Sequence, residues 1–175
     1  LITQNLKPKT YNLSPITHHL SLIAHRTMLL TFAFVFNSIL AFATILIHYE
    51  VLFQLDKYLP RMSHLPARFK VLVGAGVVFV THVIEIWIFA LGYYLTLQLD
   101  GMGSLIHQTS SDGLFLDYVY LSFITYTTVG YGDVVAQGYV RYLTGVEALL
   151  GLLLITWSAS FLFLEMQKYW SQAKK

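Results

Sequence analysis

One short stretch of this chain has the residue types and spacing to do chemistry with its backbone. It reads "TYTTVGYGD" and covers residues 125 to 133. Extended residues rise about 3.3 Å each. If successive carbonyls are to face the same way, the backbone dihedrals must alternate in hand. Gly130 and Gly132 reach φ > 0 without a Cβ penalty. The carbonyls of Thr128, Val129, Gly130 and Tyr131, with the Thr128 hydroxyl, then make a ladder of oxygen layers. Such a ladder can replace the water of a desolvated monovalent cation.

The other chemically suggestive residues are ionisable groups inside apolar runs. His82 and Glu85 lie one helical turn apart within Val71 to Leu97, and Glu147 lies within Tyr139 to Leu164. A charge in hydrocarbon costs several kcal/mol, so each must be neutral, paired or held by donors. Glu147 falls at the depth of the 125–133 stretch, where Ser122, Thr125 and Tyr126 offer hydroxyls, so it is expected to brace that region from behind. His82 and Glu85 are expected to pair with each other or with a neighbouring helix, as a structural or pH-sensitive polar pair, and cation binding at His82, Glu85 and Glu147 is the remaining reading. The seven histidines show no metal-ligand spacing in sequence beyond the adjacent His18 and His19.

The elements that position these residues follow from composition. Of 175 residues, 56% are hydrophobic and only 11% charged, with a mean hydropathy of +0.61. A soluble domain carries about 25% charge, so lipid is the expected solvent. No cysteine is present, which excludes disulfides and thiolate metal sites. Thr27 to Ile47 holds no charge over 21 residues, about 31 Å of helix. Val71 to Leu97 and Tyr139 to Leu164 are also long enough to span. Leu114 to Thr127 is apolar for about 14 residues, roughly 21 Å of helix and too short to cross. Ser110, Ser111 and Asp112 offer N-cap chemistry before it, and Asp117 suits its first turn. This segment is expected to dip into the membrane as a re-entrant helix and return as irregular chain, which is tolerated only where protein or water surrounds it.

Charge placement gives an orientation. Lys57, Arg61, Arg68 and Lys70 follow the first span, and Lys168, Lys174 and Lys175 follow the third. Asp100 and Asp112 sit in a loop without Lys or Arg. The positive-inside rule makes the first two regions cytoplasmic and the third external, which places the N-terminus outside. Lys7, Lys9 and Arg26 oppose that placement mildly. Tyr93, Tyr94, Tyr139, Tyr142, Tyr169 and Trp170 fall where interfacial aromatic belts belong. Lys7 to Arg26, interrupted by Pro8 and Pro15, does not read as a cleavable signal. The chain begins at Leu1 rather than Met, which leaves room for upstream residues.

With "TTVGYG" between two spans and behind a short helix, the chain resembles tetrameric potassium channels of the small prokaryotic type, whose selectivity filter carries that motif. The resemblance covers about Phe69 to Gln167. It implies an all-α membrane protein with three transmembrane helices, a re-entrant pore helix and an extended filter, assembled as a C4 homotetramer in the lipid bilayer. The implied organisation is an N-terminal segment at 1–26, an extra span at 27–49, a cytoplasmic loop at 50–68, a pore module at 69–167 and a short tail at 168–175. It implies that Thr128, Val129, Gly130 and Tyr131 coordinate permeating K⁺, with Gly132 at the outer mouth. Thr127, Asp133 and Tyr120 would support the filter, Tyr120 bonding Asp133. A tryptophan common in relatives is replaced by Leu121, and a glutamate that pairs with the aspartate in some relatives is replaced by Ile124. Glu147 is expected to take over that bracing.

In the third span Gly151 is either a gating hinge or a small residue for close packing. Ile155, Ala159 and Phe163 share one face at i, i+4 and i+8 and are candidates for the cavity wall, with Phe163 as a constriction. No arginine-repeat voltage sensor is present, and the eight residues after Gln167 are too few for a cytoplasmic ligand-binding domain. The gating stimulus is left open among pH, lipid, tension and a partner subunit. A transporter with several degenerate filter loops would need a longer chain. An enzyme on His82, Glu85 and Glu147 lacks a nucleophile–base pair, and nothing suggests nucleic-acid binding. The expectation is a passive K⁺ channel of the cell membrane, with the C-terminus cytoplasmic.

Overall fold

The computed structural model describes residues 14–108 and 115–172. Ser110, Ser111, Asp112 and Leu114 lie outside the described residues, as do Lys7, Pro8, Lys9, Lys174 and Lys175. The side chains of Tyr169 and Trp170 are likewise outside the description. The elements in chain order are α1 (Ser14–Tyr58), α2 (Ala67–Leu97), β1 (Gly103–His107), α3 (Phe115–Tyr126), β2 (Val134–Gly138) and α4 (Arg141–Gln172).

Three helices, within α1, α2 and α4, are long and apolar enough to cross a membrane. Their apolar residues point outward as well as inward. Phe42 and Ile39 of α1, Phe79 and Val80 of α2, and Leu149 and Leu152 of α4 are all exposed in the single chain. A helix that is apolar all round belongs in lipid or against other chains. The protein is a multi-pass membrane protein.

α3 is a different kind of element. Its 12 residues reach only about 18 Å, well short of a hydrocarbon core. Asp117 sits in its first turn, near the positive end of the helix. Its buried face carries Val119, Leu121, Ser122, Ile124 and Tyr126. These join Ile86, Phe89 and Tyr93 of α2 and Leu143 and Leu150 of α4 in the main core. α3 is therefore wedged between α2 and α4, which supply the surroundings that lipid cannot.

The first helix departs from the expected boundaries. A span at 27–49 followed by a loop at 50–68 is replaced by one helix of 45 residues, roughly 68 Å long. Pro15 begins this helix rather than interrupting the chain, because a first-turn proline gives up an N–H that has no intrahelical partner. At the other end the helix runs on past residue 49 because Leu52 and Leu55 still have something to pack against. Together with Leu59 they bury against Val78 of α2, with Phe161 and Leu162 of α4 alongside. Only residues 59–66 form the connection to α2.

The sequence reading contained no strands, and the two found make a small ribbon outside the spans. β1 and β2 pair antiparallel, from Gly103 opposite Gly138 to His107 opposite Val134. The ribbon clamps the far end of the 125–133 stretch. The Gln108 N–H donates to the Asp133 carbonyl at 2.9 Å, and the Gln108 side-chain amide donates to the Gly132 carbonyl at 3.1 Å.

Gly138 makes this ribbon possible. Its φ is +84°, and a Cβ there would lie 2.7 Å from Gly103 Cα and 2.9 Å from the Met102 carbonyl oxygen. Gly138→Ala is expected to cost about 1–3 kcal/mol of local stability. The check is amide exchange at Gln108, which should accelerate at least several-fold. Unchanged exchange there would show that the ribbon does not depend on this close approach.

Candidate functional site

The Gly-rich stretch leaves the C-terminal end of α3 in a defined way. The Thr128 N–H donates to the Thr125 carbonyl at 2.9 Å, and the Gly130 N–H to the Ile124 carbonyl at 3.0 Å. Carbonyls left open by the last helical turn are thus satisfied by the chain that follows. Beyond this point the backbone alternates. Thr128, Gly130 and Gly132 have φ of +59°, +52° and +81°, and neither Val129 nor Tyr131 lies at positive φ. The two glycines were expected to supply this hand; Thr128 was not. A β-branched residue at positive φ is rare and strained, so its surroundings must hold it there.

At the other end of the stretch, Asp133 is fixed by α3 itself. Tyr120 Oη donates to Asp133 Oδ2 at 2.6 Å, and Asp133 Oδ1 accepts the Val134 N–H at 3.1 Å. The carboxylate pushes the Tyr120 phenol up to about 12, so Tyr120 remains a donor at physiological pH. Thr127 bonds back to the Phe123 carbonyl through its hydroxyl at 2.7 Å.

Behind α3 stand two fully buried carboxylates, one on each neighbouring helix. Glu147 of α4 accepts from Ser122 Oγ on one oxygen and from Tyr93 Oη on the other. Of the hydroxyls expected to meet Glu147, Ser122 makes that bond and Tyr126 does not. Tyr93, placed in sequence at the membrane interface, is instead completely buried, and its hydroxyl has turned inward to Glu147. Tyr94 stays partly exposed, and its ring packs edge-on against Phe115 and Tyr118.

Glu85 of α2 gathers a larger network. Tyr126 Oη donates to Glu85 Oε2 at 2.5 Å, and His82 Nδ1 lies 3.1 Å from the same oxygen and 2.8 Å from Tyr126 Oη. The other oxygen, Oε1, is 2.9 Å from His48 Nδ1 on α1, and Ser158 Oγ on α4 lies 3.1 Å from His48 Nε2. The pairing of His82 with Glu85 is present, but it is part of a junction of all four helices. His48 had no signal in the sequence because it sits near the apparent end of the first span, where a polar residue looks unremarkable. Linear spacing carried no metal-ligand signal for the histidines, and the fold brings His48 and His82 beside Glu85. One side-chain N or O atom from each of the three lies within 4.8 Å of the others.

Gly151 is the contact that lets α4 approach α3. It is buried, and a Cβ there would collide with the Tyr126 carbonyl oxygen and carbon. α4 runs through this position without a break. The small-residue packing role weighed in the sequence is therefore what the structure displays. Ile155, Ala159 and Phe163 lie below on an exposed face of the single chain.

A short helix held between two long apolar ones, with an extended Gly-rich return, is the layout of an ion channel pore. The family profile described as "Ion channel" matches residues 73–168, more than half of the chain, and the chain belongs to that family. The match includes α3, the Gly-rich stretch and nearly all of α2 and α4, whereas α1 lies before it. No curated protein and no solved structure matches the chain.

The two bonds of Glu147 generate a prediction. Ser122 Oγ also lies 2.8 Å from the Ile86 carbonyl, which can only accept. A glutamine at 147 can donate to Ser122 and accept from Tyr93, so Glu147→Gln should fold and assemble with little change. Glu147→Val takes one buried hydrogen-bond partner from the Tyr93 hydroxyl, which keeps Thr125, and one from Ser122, at about 1–3 kcal/mol for each lost partner. Thermal denaturation in detergent should show a clear drop for Val only. Equal melting of the Val variant and the wild type would show that Glu147 does not brace α3.

Proposed function

We propose that the protein is a passive K⁺-selective channel in which the segment 128–132 is the selectivity filter and four chains enclose one pore. The observation carrying this reading is the alternation of backbone hand at Thr128, Gly130 and Gly132. Positive φ at every second residue turns successive peptide planes the same way, which is what a ladder of cation-coordinating carbonyls requires. Thr128, Val129, Gly130 and Tyr131 supply that ladder, K⁺ being the permeating ion, and Gly132 forms the outer mouth.

The need for several chains follows from the same segment. In the single chain Val129 is 52% exposed and Tyr131 74% exposed, although both belong to an apolar protein. One strand cannot surround an ion, and a single loop per chain closes only as a ring, here a C4 homotetramer. The C-terminal, negative end of each α3 then lies near the base of the filter and favours a cation there. Ile155, Ala159 and Phe163 would line the passage below.

The orientation belongs to the same proposal. Lys168 Nζ lies 3.4 Å from Asp56 Oδ1, so the C-terminal end of α4 sits beside the C-terminal end of α1. The basic residues Lys57, Arg61, Arg68 and Lys70 cluster near that end. We take it as cytoplasmic, with the N-terminus and the β-ribbon outside.

Planar-bilayer recording from purified protein tests the reading. With K⁺ on one side and Na⁺ on the other, the reversal potential should follow the K⁺ gradient. In mild detergent the particle mass should equal four chains. Gly130→Ala and Gly132→Ala should each abolish selective current, since a Cβ at positive φ costs about 1–2 kcal/mol per residue and four chains meet at the site. A reversal potential that tracks Na⁺ equally, or selectivity unchanged in both alanine variants, would overturn the proposal.

A further inference from the structure

We propose that His48, His82 and Glu85 form a binding site for a divalent metal ion of the zinc class, joining α1 to α2 directly behind α3. Two imidazoles and one carboxylate are a donor set that zinc and cobalt(II) favour. The residues come from two helices, and His48 and Glu85 are fully buried, so the site is built by the fold. Both histidines present the same ring nitrogen, Nδ1, to the one carboxylate, at 2.9 and 3.1 Å. All three donor atoms lie within 4.8 Å of one another. Donors about 2.0–2.2 Å from a tetrahedral zinc are about 3.3–3.5 Å apart, so the two measured separations, each to a different oxygen of Glu85, need to open by only about 0.2–0.6 Å.

Two further groups complete the set. Ser158 Oγ sits 3.1 Å from His48 Nε2, the nitrogen that faces away from the carboxylate. Metal-bound histidines are commonly oriented by such a partner on the far nitrogen. Tyr126 Oη lies 2.8 Å from His82 Nδ1 and 2.5 Å from Glu85 Oε2, so its hydroxyl borders the same site. His82 keeps 16% of its side chain exposed, which gives an ion a way in.

The proton balance is simple. Without metal, each neutral imidazole carries its proton on Nδ1 and donates toward Glu85, and His48 Nε2 accepts from Ser158. On binding, the Nδ1 lone pairs go to the metal and the ring protons reappear on Nε2. His48 Nε2–H then donates to Ser158 Oγ, and no net proton is released from the rings. The junction thus has a hydrogen-bonded form and a metal-bound form with the same residues. The metal-bound form would fasten α1, which lies outside the matched family region, to the pore module.

The test needs no channel current, so it stands or falls separately from K⁺ selectivity. Full-length protein without an affinity tag, carrying His18→Asn and His19→Asn, is titrated with Co²⁺ and followed by visible absorption. One Co²⁺ per chain should bind with the intense bands of a tetrahedral centre, and Zn²⁺ should displace it. His48→Gln, His82→Gln and Glu85→Gln should each weaken binding at least about tenfold, and Ser158→Ala should weaken it less. Nitrogen-15 NMR of the unmutated site guards against misfolded variants, because Zn²⁺ should move the His48 proton from Nδ1 to Nε2. Three results would overturn the proposal: no saturable binding at one per chain, binding that survives all three glutamine variants, or an unchanged His48 tautomer at saturating Zn²⁺.

Discussion

A helix too short to cross the bilayer cannot be held by lipid, and that constraint organises the rest of this structure. α3 ends at membrane depth, where water is scarce and every polar group needs a protein partner. Glu147 grips it midway through Ser122, and Glu85 grips its last residue through Tyr126. The two carboxylates stand on different long helices, so α3 is fixed from both sides. The absence of a Cβ at Gly151 lets α4 come into contact with the Tyr126 backbone. That closeness brings Ser158, two turns further along α4, to the same junction.

The grip at Tyr126 matters because of what comes next in the chain. Two residues later the backbone enters the alternating conformation, beginning at the strained Thr128. Strain of this kind persists only where neighbouring structure over-determines it. Here both ends are fixed. The start is pinned by bonds of Thr128 and Gly130 to the last turn of α3, and the finish by Asp133, which Tyr120 and Gln108 both hold. Tyr120 belongs to α3 as well, so one helix sets the reference for both ends of the segment it precedes.

How much of this the sequence disclosed depends on the range of the interaction. The short helix and the glycines of the return are local, and spacing alone exposes them, whereas the Tyr120–Asp133 bond was implied by the resemblance to potassium channels. Glu147 was legible as a residue that must find donors, and Ser122 as one of them. Tyr93 was not, because a tyrosine near the end of a span reads equally well as an interfacial anchor. Its rotation into the core is set by α4, about 50 residues away in the chain. His48 was hidden for the same reason, its partners Glu85 and Ser158 lying 37 and 110 residues along the sequence. The ribbon was missed because two five-residue strands, each flanked by glycine, carry too short a pattern to separate from a loop.

α1 lies outside the region that defines the family, yet it is joined to that region by more than lipid. In a bilayer apolar surface alone does not drive helices together, since lipid tails are as apolar as leucine. Association then depends on close packing and on polar contacts between helices. α1 has both, with Leu52 and Leu55 against Val78 near one end and the buried His48 bond to Glu85 nearer its middle. The second contact is the telling one, because Glu85 also holds Tyr126. Displacing α1 would take His48 from a carboxylate that has no water to turn to, and the cost would fall on the residue that launches the Gly-rich segment. The first helix is thus coupled to the site through a single shared acceptor, by a route that needs no domain outside the membrane.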